Sequence, residues 1–439
     1  MNVARALESQ KGLKPVLESS PAGSFLIEGG RRLEGEVRIS GAKNAALPAM
    51  AASLLTAEEC IIENVPDIED VWILAEVLRR LGADVERVAN NTLRICSRHI
   101  TSFHASSELV KKMRASFLVV GPLLARFGHG ASCPPGGDVI GQRPIDVHLV
   151  GFRSLGADVR RVGEVYVTCA DRLVGTRIFM DYPSHIGTEN LLMAACLARG
   201  TTVIQNASQE PEVVDLARML KSMGAIIRGA GSSTIEIEGT EVLHGTRHTV
   251  IPDRIEAGTF AIAAAATGGD VELRDVIPGH LDSLIWKLGE AGATVEVGGD
   301  RIRVTARRPL TSVNVQALPY PGFATDLQAA IGVMLTQASG ISVIHERVYD
   351  NRLLYVRELN KMGAEIEVNG QTAIISGPRR LTGTCVRALD IRSGAALVLA
   401  GLTAEGITKI LDIYHLERGY ERLDAKLATL GAHLTRVAE

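Results

Sequence analysis

Leu78–Val85 (LRRLGADV), Phe152–Val159 (FRSLGADV), Leu220–Ile227 (LKSMGAII), Leu288–Val295 (LGEAGATV), Leu359–Ile366 (LNKMGAEI) and Leu427–Leu434 (LATLGAHL) are six copies of one phrase. Their glycines, Gly82, Gly156, Gly224, Gly292, Gly363 and Gly431, lie 74, 68, 68, 71 and 68 residues apart, so the chain is a sixfold repeat with a period of about 70. Each phrase ends an amphipathic helix. Glycine supplies the left-handed residue that closes such a helix, and the alternating apolar residues behind it, as in Val85 and Val88, predict a strand.

Upstream in every unit stands a second predicted helix, apolar on all sides: Ala45–Leu55, Ala115–Ala125, Glu189–Ala198, Gly258–Ala266, Asp326–Leu335 and Ser393–Leu402. A helix of that composition is buried all round. The sixth unit stops at Glu439 after its first strand, and the missing pattern reappears at residues 25–46, FLIEGGRRLEGEVRISGAKNAA, so the N-terminal segment is expected to complete the last unit. Two three-unit domains follow, 43–251 and 25–42 with 252–439, preceded by a flexible tail at 1–24. The chain would cross between them near Gly41–Asn44 and Val250–Arg254. This is an α/β chain, but one wrapped around central helices and not a doubly wound sheet.

The chain has 439 residues, 46 % hydrophobic and 22 % charged, which is the balance of a folding, multi-domain protein. Its net charge of −3 gives no bulk attraction to nucleic acid or anionic membrane, so any cationic site is local. Six cysteines spaced at least 27 residues apart form no zinc pattern and read as reduced cytoplasmic thiols. No apolar run reaches a membrane span, and the first 24 residues hold no signal-peptide core.

Helix N-termini attract anions. Lys43, Arg114, Arg254 and Arg392 stand at or near the start of four of the six apolar helices. Asp326 opens a fifth, with Arg352 the nearest candidate cation, and Ser184, His185 and Thr188 open the remaining one. Taken singly, each cation reads as a solvated charge, and Asp326 as a simple N-cap. A second set occupies the loops after the short strands: Asp138 and Arg143, Glu210 and Glu212, Asp350 to Arg352, and Arg418. The stretch PPGGDVIGQRPID, with Gly136 and Gly137 between Pro135 and Pro144, has the composition of a lid, or equally of a surface turn.

GAKNAALP (41–48), MRASFLVVGPLLARFG (113–128), the lid stretch, GTENLLMAA, PDRIEAGTF, TDLQAAI, DNR and ERGYER occur in order across residues 25–437. At these residues the chain resembles the UDP-N-acetylglucosamine 1-carboxyvinyltransferases, a family of enolpyruvyl transferases. The resemblance implies an inside-out α/β barrel fold of two three-unit domains, a transferase of peptidoglycan synthesis, and phosphoenolpyruvate and UDP-N-acetylglucosamine as small-molecule substrates, with no cofactor, metal or membrane insertion. Carried over by motif, Lys43, Arg143 and Arg418 would grip phosphoenolpyruvate. Asn44, Arg114, Arg143, Pro144, Ile145, Asp146 and Val147 would hold the UDP-sugar together with Ser184, His185, Ile186, Gly187, Asp326 and Val348, and Arg352 and Arg392 complete the substrate-binding set. Asp326 would be the base at the sugar 3′-hydroxyl. Most members have a cysteine in the lid where this chain has Asp138, which would be the acid, while Cys133 is a packing residue. Two other readings stand beside this one: an enolpyruvyl transferase with a different hydroxyl acceptor, and a nucleotide-sugar sensor without catalysis.

Overall fold

The structure, a computed structural model, describes residues 23–138, 140–141, 144–307 and 309–438. The expected tail lies almost wholly outside them, but Gly23 and Ser24 belong to a strand, Gly23–Glu28. All six repeat glycines have left-handed backbones, φ 90 to 107°. A side chain there would be strained, which is why the phrase recurs.

Among the described residues, six small sheets surround the apolar helices. The helix Arg254–Thr267 buries every residue after its first, and Ile391–Thr403 buries all thirteen. Alanine and glycine let these helices approach closely, and three of them (Arg254–Thr267, Gln328–Thr336 and Ile391–Thr403) pack on one another at the centre of one half. The sheets and the amphipathic helices form the outside. This is the inside-out α/β barrel, present twice. One apolar core gathers residues between 42 and 251, the other residues 25–39 and 255–432.

Among the described residues, five of the six units hand their last strand to the sheet of the next, and the first makes only the single parallel bridge of His104 to Ala131. Arg177–Phe179 pairs in parallel with Thr201–Gln205, Val315–Ala317 with Ala338–Glu346, and Cys385–Arg387 with Ile407–Leu411. The ring closes in both halves, because Arg247–Thr249 returns to Glu59–Glu63 and Glu34–Arg38 to Asp270–Arg274. The N-terminal segment is therefore divided, which the sequence reading did not anticipate. Gly23–Glu28 sits between His433–Ala438 and Ile407–Leu411 in the sixth unit's sheet, whereas Glu34–Arg38 belongs to the fourth. The two connections between cores run side by side: Ala42 N–H donates to the Ile251 carbonyl at 2.7 Å and Asp253 N–H to the Ser40 carbonyl at 2.8 Å.

Candidate active site

A cavity of about 450 Å³ opens between the two cores, walled by residues of both. Lys43 is the first residue of helix Lys43–Ala52, and its backbone N–H donates to the Asp253 carboxylate at 3.3 Å, across the connection. Asp253 also caps helix Arg254–Thr267, accepting from Ile255 and Glu256 N–H, so one carboxylate aligns two helix starts on the cavity.

One charged centre is built on Asp70, a fully buried acid in the first turn of helix Glu69–Leu81. Its oxygens meet Lys43 Nζ at 2.5 Å and Arg418 Nε at 3.0 Å, and Arg418 Nη1 reaches Asp138 Oδ1 at 2.5 Å. Asp138 and Ile140 thus touch the opposite half, where the Asn351 N–H donates to the Ile140 carbonyl at 3.3 Å. Two cations held by one buried carboxylate make a rigid pair for a phosphate or carboxylate.

The other centre is Asp326, in the short 3-10 turn Thr325–Leu327. Its oxygens accept from Arg352 Nη2 at 2.8 Å and Arg392 Nε at 3.0 Å, so it is no backbone cap, the simpler reading of its position. Burial opposes its charge, yet Arg392 and Arg352 more than offset this and hold its carboxyl well below the usual range. The guanidinium side chains of Arg352 and Arg392 are only 4 % and 6 % exposed, so Asp326 is also their counter-charge. Buried Glu346 accepts from Thr325 Oγ1 at 2.7 Å and from Val348 N–H at 2.8 Å, joining the Asp326 turn to the loop that presents Val348.

Asn44, Pro144, Asp146, Val147 and Ile186 also face the cavity. So does Arg114, which donates to the Pro144 carbonyl at 3.0 Å. Ser184 caps helix His185–Ala195 by accepting from Gly187 N–H at 3.1 Å, and His185 Nε2 stands 3.0 Å from buried Glu189. Burial works against the charged imidazole, but Glu189 beside it pushes His185 up to about 9. Gly187 and Ile145 lie behind the wall: Ile145 packs in the core, and a Cβ on Gly187 would come within 2.9 Å of Val147. Arg143 lies outside the described residues. Arg254 closes another edge, paired with Glu210 at 2.6 Å and Glu212 at 3.0 Å. Cys133 is fully buried, as a packing residue should be.

Asp70 and Glu189 escaped the sequence reading. Asp70 follows Glu69 at a helix start, where acids are ordinary dipole partners, and no local signal marks it as the bridge between two cations.

His148, two residues into the helix after the lid, is 2 % exposed and has Asn190 Nδ2 3.1 Å from its Nδ1. Burial, then Arg114, depress it to about 3. A depressed histidine stabilises the fold above its unfolded value and loses that contribution as pH falls from 6.5 toward 3. One such proton is worth about 1.4 kcal/mol per pH unit. Thermal melts of His148→Gln should accordingly decline less steeply than the parent over that window; equal slopes would place the acid sensitivity elsewhere.

Comparison with known proteins decides the family. Residues 27–427 match the family model described as EPSP synthase (3-phosphoshikimate 1-carboxyvinyltransferase). The chain belongs to the carboxyvinyltransferase family. Within the family, it is 52 % identical over 415 residues to UDP-N-acetylglucosamine 1-carboxyvinyltransferase 1 of Caldanaerobacter subterraneus subsp. tengcongensis, covering 94 % of this chain and 99 % of that one. The UDP-N-acetylglucosamine 1-carboxyvinyltransferase of Gloeobacter violaceus is 48 % identical over 433 residues, 97 % of this chain and 94 % of its own. Among solved structures, the enolpyruvyl transferase NikO from Streptomyces tendae superposes with a TM-score of 0.86 at 27 % identity, covering 95 % of this chain and all of that one. The EPSP synthase of Acinetobacter baumannii, at 19 % identity and a TM-score of 0.75, shares the fold over 94 % of this carboxyvinyltransferase and all of its own chain.

Proposed function

We propose that this carboxyvinyltransferase moves the enolpyruvyl group of phosphoenolpyruvate to the 3′-hydroxyl of UDP-N-acetylglucosamine and releases phosphate, the step that opens peptidoglycan synthesis. The observation that carries the reading is that the Lys43–Asp70–Arg418 pair of cations and the Asp326 carboxylate face one cavity. Relatives of that name match this chain at about half identity over nearly its whole length.

Lys43 and Arg418, with Arg143, take the phosphate and carboxylate of phosphoenolpyruvate. The nucleotide sugar lies along Asn44, Arg114, Pro144, Asp146, Val147, Ser184 to Ile186 and Val348, with its 3′-hydroxyl on Asp326 and with Arg352 and Arg392 beside it. In the addition, the 3′-oxygen bonds to C2 while C3 takes a proton from Asp138 and Asp326 takes the hydroxyl proton. In the elimination, C3 returns a proton to Asp138 while its C–H electrons form the C2–C3 double bond, the C2–O bond to phosphate breaks with its electrons on phosphate, and the phosphate takes up the proton held by Asp326. Asp326 between two arginines is a weak base, so it removes the proton as the C–O bond forms and not beforehand. Six cysteines free of disulfides suit a cytoplasmic enzyme.

The acceptor is tested by offering phosphoenolpyruvate with either UDP-N-acetylglucosamine or 3-phosphoshikimate and identifying products by mass spectrometry. An enolpyruvyl adduct should form on the nucleotide sugar alone. An adduct on 3-phosphoshikimate would move the chain to the other branch of its family.

A further inference from the structure

The motif Glu417–Arg422 (ERGYER) supplies Arg418 to the cavity, and its second glutamate, Glu421, stands outside it. Glu421 Oε2 accepts from Ser40 Oγ at 2.6 Å, on the connection between the two cores. Its Oε1 accepts from Asn91 Nδ2 at 3.0 Å, in the hairpin turn of the opposite half. Asn91 adopts a left-handed backbone, φ 51°, and clasps Val65 from both sides: its Nδ2 donates to the Val65 carbonyl at 2.8 Å and its carbonyl accepts from Val65 N–H at 2.8 Å. From Val65 the chain runs through Pro66 to Ile68 into helix Glu69–Leu81, whose second residue is Asp70. The same turn of chain therefore meets the other half at two points, Arg418 on Asp70 in the helix and Glu421 on Asn91, whose hairpin turn clasps the loop ahead of that helix. Lys426 Nζ, donating to Ser40 Oγ at 2.6 Å and to Glu256, secures the base of this arrangement.

We propose that Glu421 is a positioning residue for the phosphoenolpyruvate-binding cations. It fastens the Arg418 turn to the loop that ends in Asp70, so that Lys43 and Arg418 keep their spacing when Asp138 leaves Arg418 for the incoming substrate. Buried Tyr420, bonded to Thr259 at 2.9 Å, anchors the turn to its own half, and Glu421 is its second point of attachment to the opposite one. The proposal rests on the reaction assigned above.

Glu421→Ala, Glu421→Gln and the parent enzyme are compared by steady-state kinetics and by amide exchange at Val65. The alanine variant should raise KM for phosphoenolpyruvate and lower kcat/KM for it by roughly 10- to 100-fold, the scale of a small misplacement of a binding group, with KM for the nucleotide sugar unchanged. Val65 N–H should exchange faster. Glutamine keeps an acceptor for Asn91 and a donor for the Ser40 hydroxyl, so it should restore both readouts. An alanine variant with unchanged KM for phosphoenolpyruvate, one that loses both substrates equally, or a glutamine variant as impaired as alanine would overturn the role of Glu421. A parent enzyme that turns over neither substrate would instead overturn the reaction, and the exchange at Val65 would still report on the fastening.

Discussion

Asp326→Ala should lose both turnover and stability, and Asp326→Asn should separate the two. Neither replacement can take the 3′-hydroxyl proton, so each is expected to lower the rate about 10²- to 10⁴-fold, the usual cost of losing a general base. Alanine also strips two buried guanidiniums, Arg352 and Arg392, of their counter-charge. Breaking a buried ion pair from one side costs about 3–5 kcal/mol, and the melting temperature should fall accordingly. Asparagine keeps a carbonyl for one arginine and should melt between alanine and the parent. The pH dependence has a definite sign. A carboxyl held below its ordinary value of 3.8 contributes stability at every pH above that value and loses it only as pH falls toward the folded one. The difference between parent and Asp326→Ala should therefore be full at neutral pH and shrink only in strong acid. An alanine variant that melts like the parent would refute the ion-pair account; one that turns over normally would remove Asp326 from the chemistry.

Asp138 carries the second large effect. Fosfomycin and related epoxides act by alkylating a lid thiolate, and a carboxylate is a far poorer nucleophile, so the parent enzyme should resist them. Asp138→Cys should become sensitive. Asp138→Asn keeps an oxygen for Arg418, now 2.5 Å away, and so should dock the lid, yet it has no acidic proton to give C3 and should turn over poorly at every pH. A free thiol titrates near about 8.5 and a free carboxyl near about 3.9, so Asp138→Cys should retain turnover to higher pH than the parent. Covalent inactivation of the parent by the epoxide, or normal turnover by Asp138→Asn, would exclude Asp138 as the lid acid.

What could be read in advance, and what could not, follows from range. The repeat glycines and the apolar helices are local signals, period and composition, and they set out two three-unit domains wrapped around central helices. The motifs around Lys43, Asp326 and Arg418 are local as well, and they carried the family. Strand Glu34–Arg38 was placed in the correct half but without a partner, because that partner, Asp270–Arg274, lies more than 230 residues away and nothing in five residues of EGEVR names it. Asp70 was missed for the same reason: its chemistry exists only where Lys43, from the start of one helix, and Arg418, from the far end of the chain, converge on it. Asp326 was found, but its structural role was not, since the burial of Arg352 and Arg392 is a property of the packed core and not of the motif.

In the proposed reaction one cavity brings phosphoenolpyruvate and UDP-N-acetylglucosamine together for enolpyruvyl transfer. Continuous measurement of phosphate release by the purified chain tests it directly. Release should saturate in both substrates, be absent when either is omitted, and fall about 10²- to 10⁴-fold in Asp326→Asn. Release from phosphoenolpyruvate without the nucleotide sugar, or none with both present, would contradict it.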